Sequence, residues 1–178
     1  MGIRDASGKE KIVIIFNAVV RLAQFIVAAA ALGVYSAQKG YWLDHGLPGK
    51  ITFELVVGSL AIITAAAFAL IPFFLSYRPV ALAAPWDIIL MVLWGAAFGL
   101  MKPVFLKNYT DDAEKFLVNH DSSDNYGHYK DHWYTMMNSA YINLAGLILF
   151  LISGVMGITL FFIGRRSSSG GHTKASYV

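Results

Sequence analysis

Four long apolar stretches occupy most of this chain, and each is long enough to cross a lipid bilayer as a helix. They cover residues 12–36, 51–75, 80–101 and 136–163. About 20 helical residues cross a hydrocarbon core of about 30 Å. A soluble protein would show amphipathic stripes in place of continuous apolar runs. The pattern therefore predicts an all-α, membrane-spanning, antiparallel four-helix bundle.

The composition agrees with a membrane protein of one domain. Of the 178 residues, 57% are hydrophobic and 14% are charged, against about 25% charged in soluble domains. We expect an N-terminal tail at 1–11, a four-helix domain at 12–166 and a disordered tail at 167–178. There is no cysteine, which excludes disulfides and argues against tetraspanins and claudins, whose outer loops need them. The net charge of +3 lies mostly at membrane edges and does not favour nucleic-acid binding.

The connections between the spans predict the topology. Residues 76–79 are too few to cross the bilayer, so the second and third helices form an antiparallel hairpin. A long polar loop, 102–135, precedes the fourth helix and carries a glycosylation sequon at Asn108. Lysine and arginine slightly favour the side that holds both termini, which indicates cytoplasmic termini. We expect a multi-pass protein of the plasma membrane or an endomembrane.

The first apolar stretch contains three polar residues on one helical face: Asn17, Arg21 and Gln24. An arginine within a membrane helix costs about 2.5–3.5 kcal/mol on insertion scales. Arg21 should therefore face the other helices and find a partner.

Two acidic residues within the spans are candidate partners, Glu54 in the second helix and Asp87 in the third. Because these helices run in opposite directions, Glu54 should lie near the outer face and Asp87 near the inner face. The depth of Asp87 matches that of Arg21, so we predict an Arg21–Asp87 ion pair, with Gln24 and Asn143 as further polar partners. Such a pair either fixes the register of the helices or belongs to a proton or ion relay.

Small residues recur at four-residue spacing in three of the spans. This spacing lets helix backbones approach closely, either within one bundle or between copies of the chain. The residues are Ala29 and Gly33, Gly95 and Gly99, and Ser153 and Gly157.

No set of residues in the sequence points to catalysis or to a bound cofactor. All five histidines lie outside the spans, which argues against a membrane haem. His128 and His132 have the i, i+4 spacing of metal ligands, but no third histidine or cysteine is near. We expect no enzyme activity, no cofactor and no metal.

Short motifs in the first, third and fourth stretches resemble one family. They are Asn17, Arg21 and Gln24, then Leu32-Gly33, Ala84-Pro85-Trp86-Asp87, Trp94-Gly95-Ala96-Ala97-Phe98-Gly99-Leu100-Met101-Lys102, Met136-Met137-Asn138-Ser139-Ala140 and Tyr141-Ile142-Asn143-Leu144. Together they resemble the MARVEL-domain four-helix membrane proteins, and in detail the fungal ones. The likeness covers about residues 12–166. The chain departs from it in its long third loop and in Tyr141 and Asn143, where fungal relatives often have Trp and Asp.

The resemblance implies a role in membrane apposition, lipid-domain organisation or vesicle traffic. The leading hypothesis is a non-enzymatic scaffold that organises membrane lipids and partner proteins, with self-association through lateral helix faces. Two alternatives stay open at this point. One is an accessory subunit of a larger membrane complex, and the other is a small ion- or proton-coupled transporter that uses Arg21, Glu54 and Asp87.

Overall fold

The computed structural model describes residues 8–44, 47–74, 83–106 and 126–169, and their regular structure is entirely helical. The helices are α1 (Gly8–Asp44), α2 (Pro48–Phe74), α3 (Ala84–Phe105) and α4 (Tyr126–Ser169). Each contains a segment that is long and apolar enough to cross a membrane. The structure therefore confirms the all-α class and the four candidate spans.

The helix ends differ from the sequence prediction because two helices continue through polar residues. α1 reaches Asp44, past the predicted end at Ser36. α4 begins at Tyr126 rather than Met136, and it continues to Ser169, past the predicted end of the apolar stretch at residue 163. Hydropathy detects only the apolar part of a helix, whereas packing stabilises the polar turns beyond it. The predicted third loop is shorter as a result, and residues 1–7, 107–125 and 170–178 lie outside the described part.

Pro85 marks the beginning of α3 and does not kink it. The helix begins at Ala84, so Pro85 lies in the first turn, where a missing N–H group removes no helical hydrogen bond. The backbone N–H of Asp87 donates to the carbonyl of Ala83 at 3.0 Å. Asp87 therefore occupies the first turn of α3, where the helix dipole favours a carboxylate.

The contacts between α1 and α4 come in reverse order along the two helices. Gln24 reaches Leu149, and further along α1 Tyr41 reaches His132. These two helices therefore run in opposite directions.

α1 and α3 run in the same direction. Arg21 meets Asp87 near one end of α3, and Trp42 meets Phe105 at the other. α2 packs on α1 and α3, while α4 packs on α3 and α1.

Large apolar side chains point outward, and much of the interior is built from alanine. Ile12, Ile63 and Val92 are mostly exposed, whereas Ala28 and Ala61 are fully buried. Lipid is as apolar as these outward side chains, so helices in a membrane gain from close packing of small residues instead. This distribution fits a lipid-facing surface.

Two exposed hydroxyl groups donate to carbonyl groups of their own helices. Ser59 donates to the carbonyl of Leu55 at 2.7 Å, and Thr159 donates to that of Val155 at 2.8 Å. These side chains leave no free hydroxyl donor toward lipid, where an unpaired polar group is costly.

Candidate functional site

The first of two buried polar sites is the arginine layer, formed by Arg21, Gln24, Asp87 and Ser153. Both terminal nitrogens of Arg21 donate to the carboxylate of Asp87 at 2.7 Å, one to each oxygen. Both side chains are 1% exposed. This fork-to-fork geometry is the strongest arrangement that arginine makes with a carboxylate. It confirms the ion pair that matching depths predicted.

Polar groups from α1 and α4 complete the arginine layer. Arg21 Nη1 also donates to Gln24 Oε1 at 2.9 Å, and the hydroxyl of Ser153 donates to Asp87 Oδ2 at 2.6 Å. The guanidinium carbon lies 5.0 Å from the centre of the Phe68 ring, within cation–π range. The charge of this layer is therefore balanced within it.

Asn17 lies on the predicted face and is buried, but its carbonyl oxygen has no hydrogen-bond partner among the described residues. The same holds for Nε of Arg21. Asn17 was grouped with Arg21 on spacing alone, and the structure shows no hydrogen bond between the two.

The second site is the glutamate layer, formed by Tyr35 of α1, Glu54 of α2 and Asn143 of α4. The amide nitrogen of Asn143 donates to Glu54 Oε1 at 2.8 Å and to the Tyr35 hydroxyl oxygen at 2.9 Å. All three residues are buried. Sequence offers Asn143 as a partner of Arg21, but the structure places it here, because Asn143 lies ten residues before Ser153 on α4, about 15 Å from the arginine layer at about 1.5 Å per residue.

No cation balances Glu54 within the described part of the chain. The one ion pair found there at 4.0 Å or less is Arg21–Asp87. The amide oxygen of Asn143 also has no partner among these residues. Among the described residues, the glutamate layer therefore contains a carboxyl group with no cation beside it and an amide oxygen with no hydrogen-bond donor.

An apolar slab, which includes Trp94 of α3 and Gly146 of α4, separates the two layers. Arg21 and Tyr35 lie about 21 Å apart along α1, at about 1.5 Å per residue. Between them, Trp94 of α3 lies against Gly146 of α4, where an added Cβ would come within 2.5 Å of the indole ring. The two layers are thus separate sites.

Aromatic residues cluster where α1 ends and α4 begins. Tyr41 stacks on His132 with ring centres 4.1 Å apart. Trp133 packs edge-on against Trp42 and Phe105. Sequence analysis assigned much of this cluster to loops. The signal that could have found it is the buried face of α1, which continues at helical spacing from Tyr35 to Trp42.

The predicted small residues fall into two groups. Those facing inward make close contacts: an added Cβ on Gly157 would lie 2.7 Å from that of Ala84, and one on Gly95 would lie 3.1 Å from Leu147. Ser153 belongs to the arginine layer. Gly146 was missed, because its neighbours four residues away, Ile142 and Phe150, are large.

The remaining predicted small residues, Ala29, Gly33 and Gly99, are exposed. No heavy atom of the described residues lies within 4 Å of a Cβ placed on Gly33 or Gly99. Gly33 and Gly99 therefore make no close contact with another helix among the described residues.

Two predicted features concern modification and metal binding. Asn108 lies outside the described residues, so its glycosylation stays a prediction. Among the described residues, no group of three or more His, Cys, Asp or Glu side chains is placed to hold a metal ion.

Comparison of the chain with protein-family models, with curated proteins and with solved structures finds no match.

Proposed function

We propose that this protein is a non-enzymatic integral membrane protein that organises lipids and scaffolds partner proteins through lateral helix contacts. Its four helices form an antiparallel bundle across the bilayer, with both termini cytoplasmic and the third loop on the other side. The motif resemblance to MARVEL-domain proteins supports this role, which includes vesicle traffic.

The main support for this proposal is an exposed surface of small residues on α1 and α3. Ala29 and Gly33 on α1, with Ala96 and Gly99 on α3, are exposed, and the space around Gly33 and Gly99 is open. Small residues on a lipid-facing helix let a second helix approach closely. The scaffold uses these surfaces to contact further copies or other membrane proteins.

The arginine layer supports a structural role over a transporter role. A charge relay needs groups that exchange partners, whereas Arg21 holds both oxygens of Asp87 and also Gln24. A buried pair of this kind fixes how helices align. The scaffold therefore has a rigid interior and interacts through its outer surface.

The test is crosslinking in native membranes with Gly33→Leu, Gly99→Leu and the control Gly49→Leu. A Cβ atom added at any of the three glycines would have no neighbour within 4 Å among the described residues outside the adjoining helical backbone, so the three substitutions begin in comparable surroundings. We expect the first two to lose the crosslinked species and the control, at the beginning of α2, to retain it. Unchanged crosslinking in both would overturn the scaffold. Robust ion flux in liposomes, abolished by Asp87→Asn or Glu54→Gln, would support a transporter instead.

A second experiment tests the topology. The chain has no cysteine, so single cysteines can be introduced at Ser7 and Ser123 without background labelling. With cytoplasmic termini and an external third loop, a membrane-impermeant maleimide labels them from opposite sides. Labelling of both from one side contradicts the topology.

A further inference from the structure

We propose that the glutamate layer is a proton-binding site, in which Glu54 carries an exchangeable proton inside the membrane and Asn143 is its hydrogen-bond partner. This goes beyond the scaffold function and rests on different residues. It makes Glu54 a neutral carboxylic acid while Asp87, in the same bundle, is an ionised carboxylate.

Within the described residues, no positively charged group lies beside the carboxyl group of Glu54. α1 presents Tyr35 to it and α4 presents Asn143, and both are uncharged in their ordinary forms. On α2 itself, Lys50 lies one turn away, half-buried, and is not within ion-pair distance. An isolated carboxylate in an apolar interior is costly, and such a group takes up a proton instead.

Two further lysines among the described residues lie toward the same end of the helices as Glu54. Lys39 on α1 and Lys102 on α3 are both exposed. Long basic side chains near helix ends extend toward the membrane surface. Among the described residues, Glu54 therefore has no cation at its own depth.

The amide oxygen of Asn143 is available to accept a hydrogen bond. A side-chain amide offers donors on one side and an acceptor on the other, and rotation by half a turn exchanges them. In this orientation the nitrogen donates to Glu54 and Tyr35, while the oxygen has no hydrogen-bond partner among the described residues. After rotation the oxygen accepts from a protonated Glu54 and from the Tyr35 hydroxyl. The layer therefore provides a hydrogen bond to either form of the carboxyl group.

The position of Glu54 along α2 indicates the membrane face from which a proton reaches it. Glu54 lies about 9 Å along α2 from its first residue, Pro48, at about 1.5 Å per residue. The apolar slab at Trp94 and Gly146 separates it from the arginine layer. We infer that Glu54 takes its proton from water at the membrane face where α1 ends and α2 begins, and returns it to that face.

The ligands present favour a proton over a metal cation. Hard cations such as Ca²⁺ and Mg²⁺ take about six or more oxygen ligands. The glutamate layer supplies one carboxyl group, one hydroxyl group and one amide whose nitrogen faces the carboxyl. A proton needs only one acceptor.

The test uses N,N′-dicyclohexylcarbodiimide on the purified full-length chain in lipid nanodiscs. This apolar reagent reacts with protonated carboxylic acids. The acid proton moves to a carbodiimide nitrogen, the carboxyl oxygen bonds to the central carbon, and rearrangement leaves a stable N-acylurea. Peptide mass spectrometry locates the adduct. We expect it on Glu54, with yield falling as pH rises, and not on Asp87. Glu54→Gln should lose it completely.

Infrared spectroscopy decides the case in which the reagent cannot reach Glu54. A protonated carboxylic acid has its own carbonyl band, which shifts in D₂O, and we expect one such band in the unmodified chain that Glu54→Gln removes. The substituted side chain would keep an oxygen that accepts from Asn143, so this variant retains the fold. Absence of the band throughout the range of pH in which the chain is folded would overturn the proposal.

Two further outcomes also overturn it. One is equal carbodiimide labelling of Glu54 and Asp87. The other is protection of Glu54 by sodium chloride but not by choline chloride, which would indicate a sodium site. Crosslinking of the unmodified chain reports on the scaffold separately, so failure of either proposal leaves the other standing.

Discussion

The arginine layer and the glutamate layer each bury one carboxyl group in the same set of helices, but only one of them contains a cation. Asp87 accepts two hydrogen bonds from Arg21 and one from Ser153. Glu54 accepts one, from the uncharged amide of Asn143. Both carboxyl groups are nearly inaccessible to solvent, so burial alone does not distinguish them.

The charge of the hydrogen-bonding partner, and not the extent of burial, therefore determines what a buried carboxyl group does. With a guanidinium held in bidentate geometry, the carboxylate stays charged and ties α1 to α3. With a neutral amide, charge is unfavourable and the group is suited to holding a proton. Substitutions in the two layers and between them test this contrast.

Arg21→Leu should have the largest effect, because it leaves Asp87 buried without its cation. Breaking one side of a buried ion pair costs about 3–5 kcal/mol. Arg21→Leu combined with Asp87→Leu should recover much of the loss. Thermal unfolding in detergent measures both, and a single variant as stable as the unmodified chain would contradict the assignment.

Gly146→Ala should disturb the slab between the layers. The new Cβ would lie 2.5 Å from the Trp94 ring, and a large rigid ring has little freedom to move away. Overpacking costs about 1–3 kcal/mol. Gly99→Ala, in open space, is the matched control and should lose nothing in the same unfolding assay. Equal stability of the two variants would show that the slab is loosely packed.

Ser153→Ala should weaken the arginine layer without removing its charges. It deletes the 2.6 Å hydrogen bond to Asp87, and bonds to charged groups contribute about 1.5–3 kcal/mol. We expect the lower end because Arg21 remains. The control is Ser59→Ala, since that exposed hydroxyl bonds only its own helix. Chemical unfolding of both variants should separate them, and a loss of the same size in Ser59→Ala would rule out the assigned contact.

Glu54→Gln should have the smallest effect, about 1 kcal/mol or less, because a neutral acid is replaced by a neutral amide that keeps an acceptor oxygen. The informative comparison is with Asp87→Asn, which removes a charge that Arg21 requires and should cost several times more. The two variants are unfolded side by side at one pH. If Glu54→Gln destabilises as much as Asp87→Asn, then Glu54 is ionised and the contrast between the layers fails.

The sequence predicts part of this arrangement because hydropathy and depth are local properties. The four spans follow from apolar length, and the Arg21–Asp87 pair follows from counting residues inward from the helix ends. Asn143 was offered to Arg21, although its distance from Ser153 along α4, about 15 Å at about 1.5 Å per residue, already separates it from the arginine layer. Which side of a helix faces its neighbours depends on packing, so spacing alone could not predict that Gly157 faces α3 while Gly99 faces outward. The full lengths of α1 and α4 also escape hydropathy, because Trp42 and Trp133 stabilise turns that are partly polar.

Tryptophan fluorescence can report the depth of the arginine layer in the membrane. Trp42, Trp94 and Trp133 are buried, while Trp86 is 40% exposed and its indole N–H donates to the hydroxyl of Thr64 at 2.8 Å. Collisional quenchers attached along lipid acyl chains should therefore reduce mainly the fluorescence of Trp86, the residue immediately before Asp87. The acyl position that quenches most strongly reports how far the ion pair lies from the bilayer centre, without any dye or substitution.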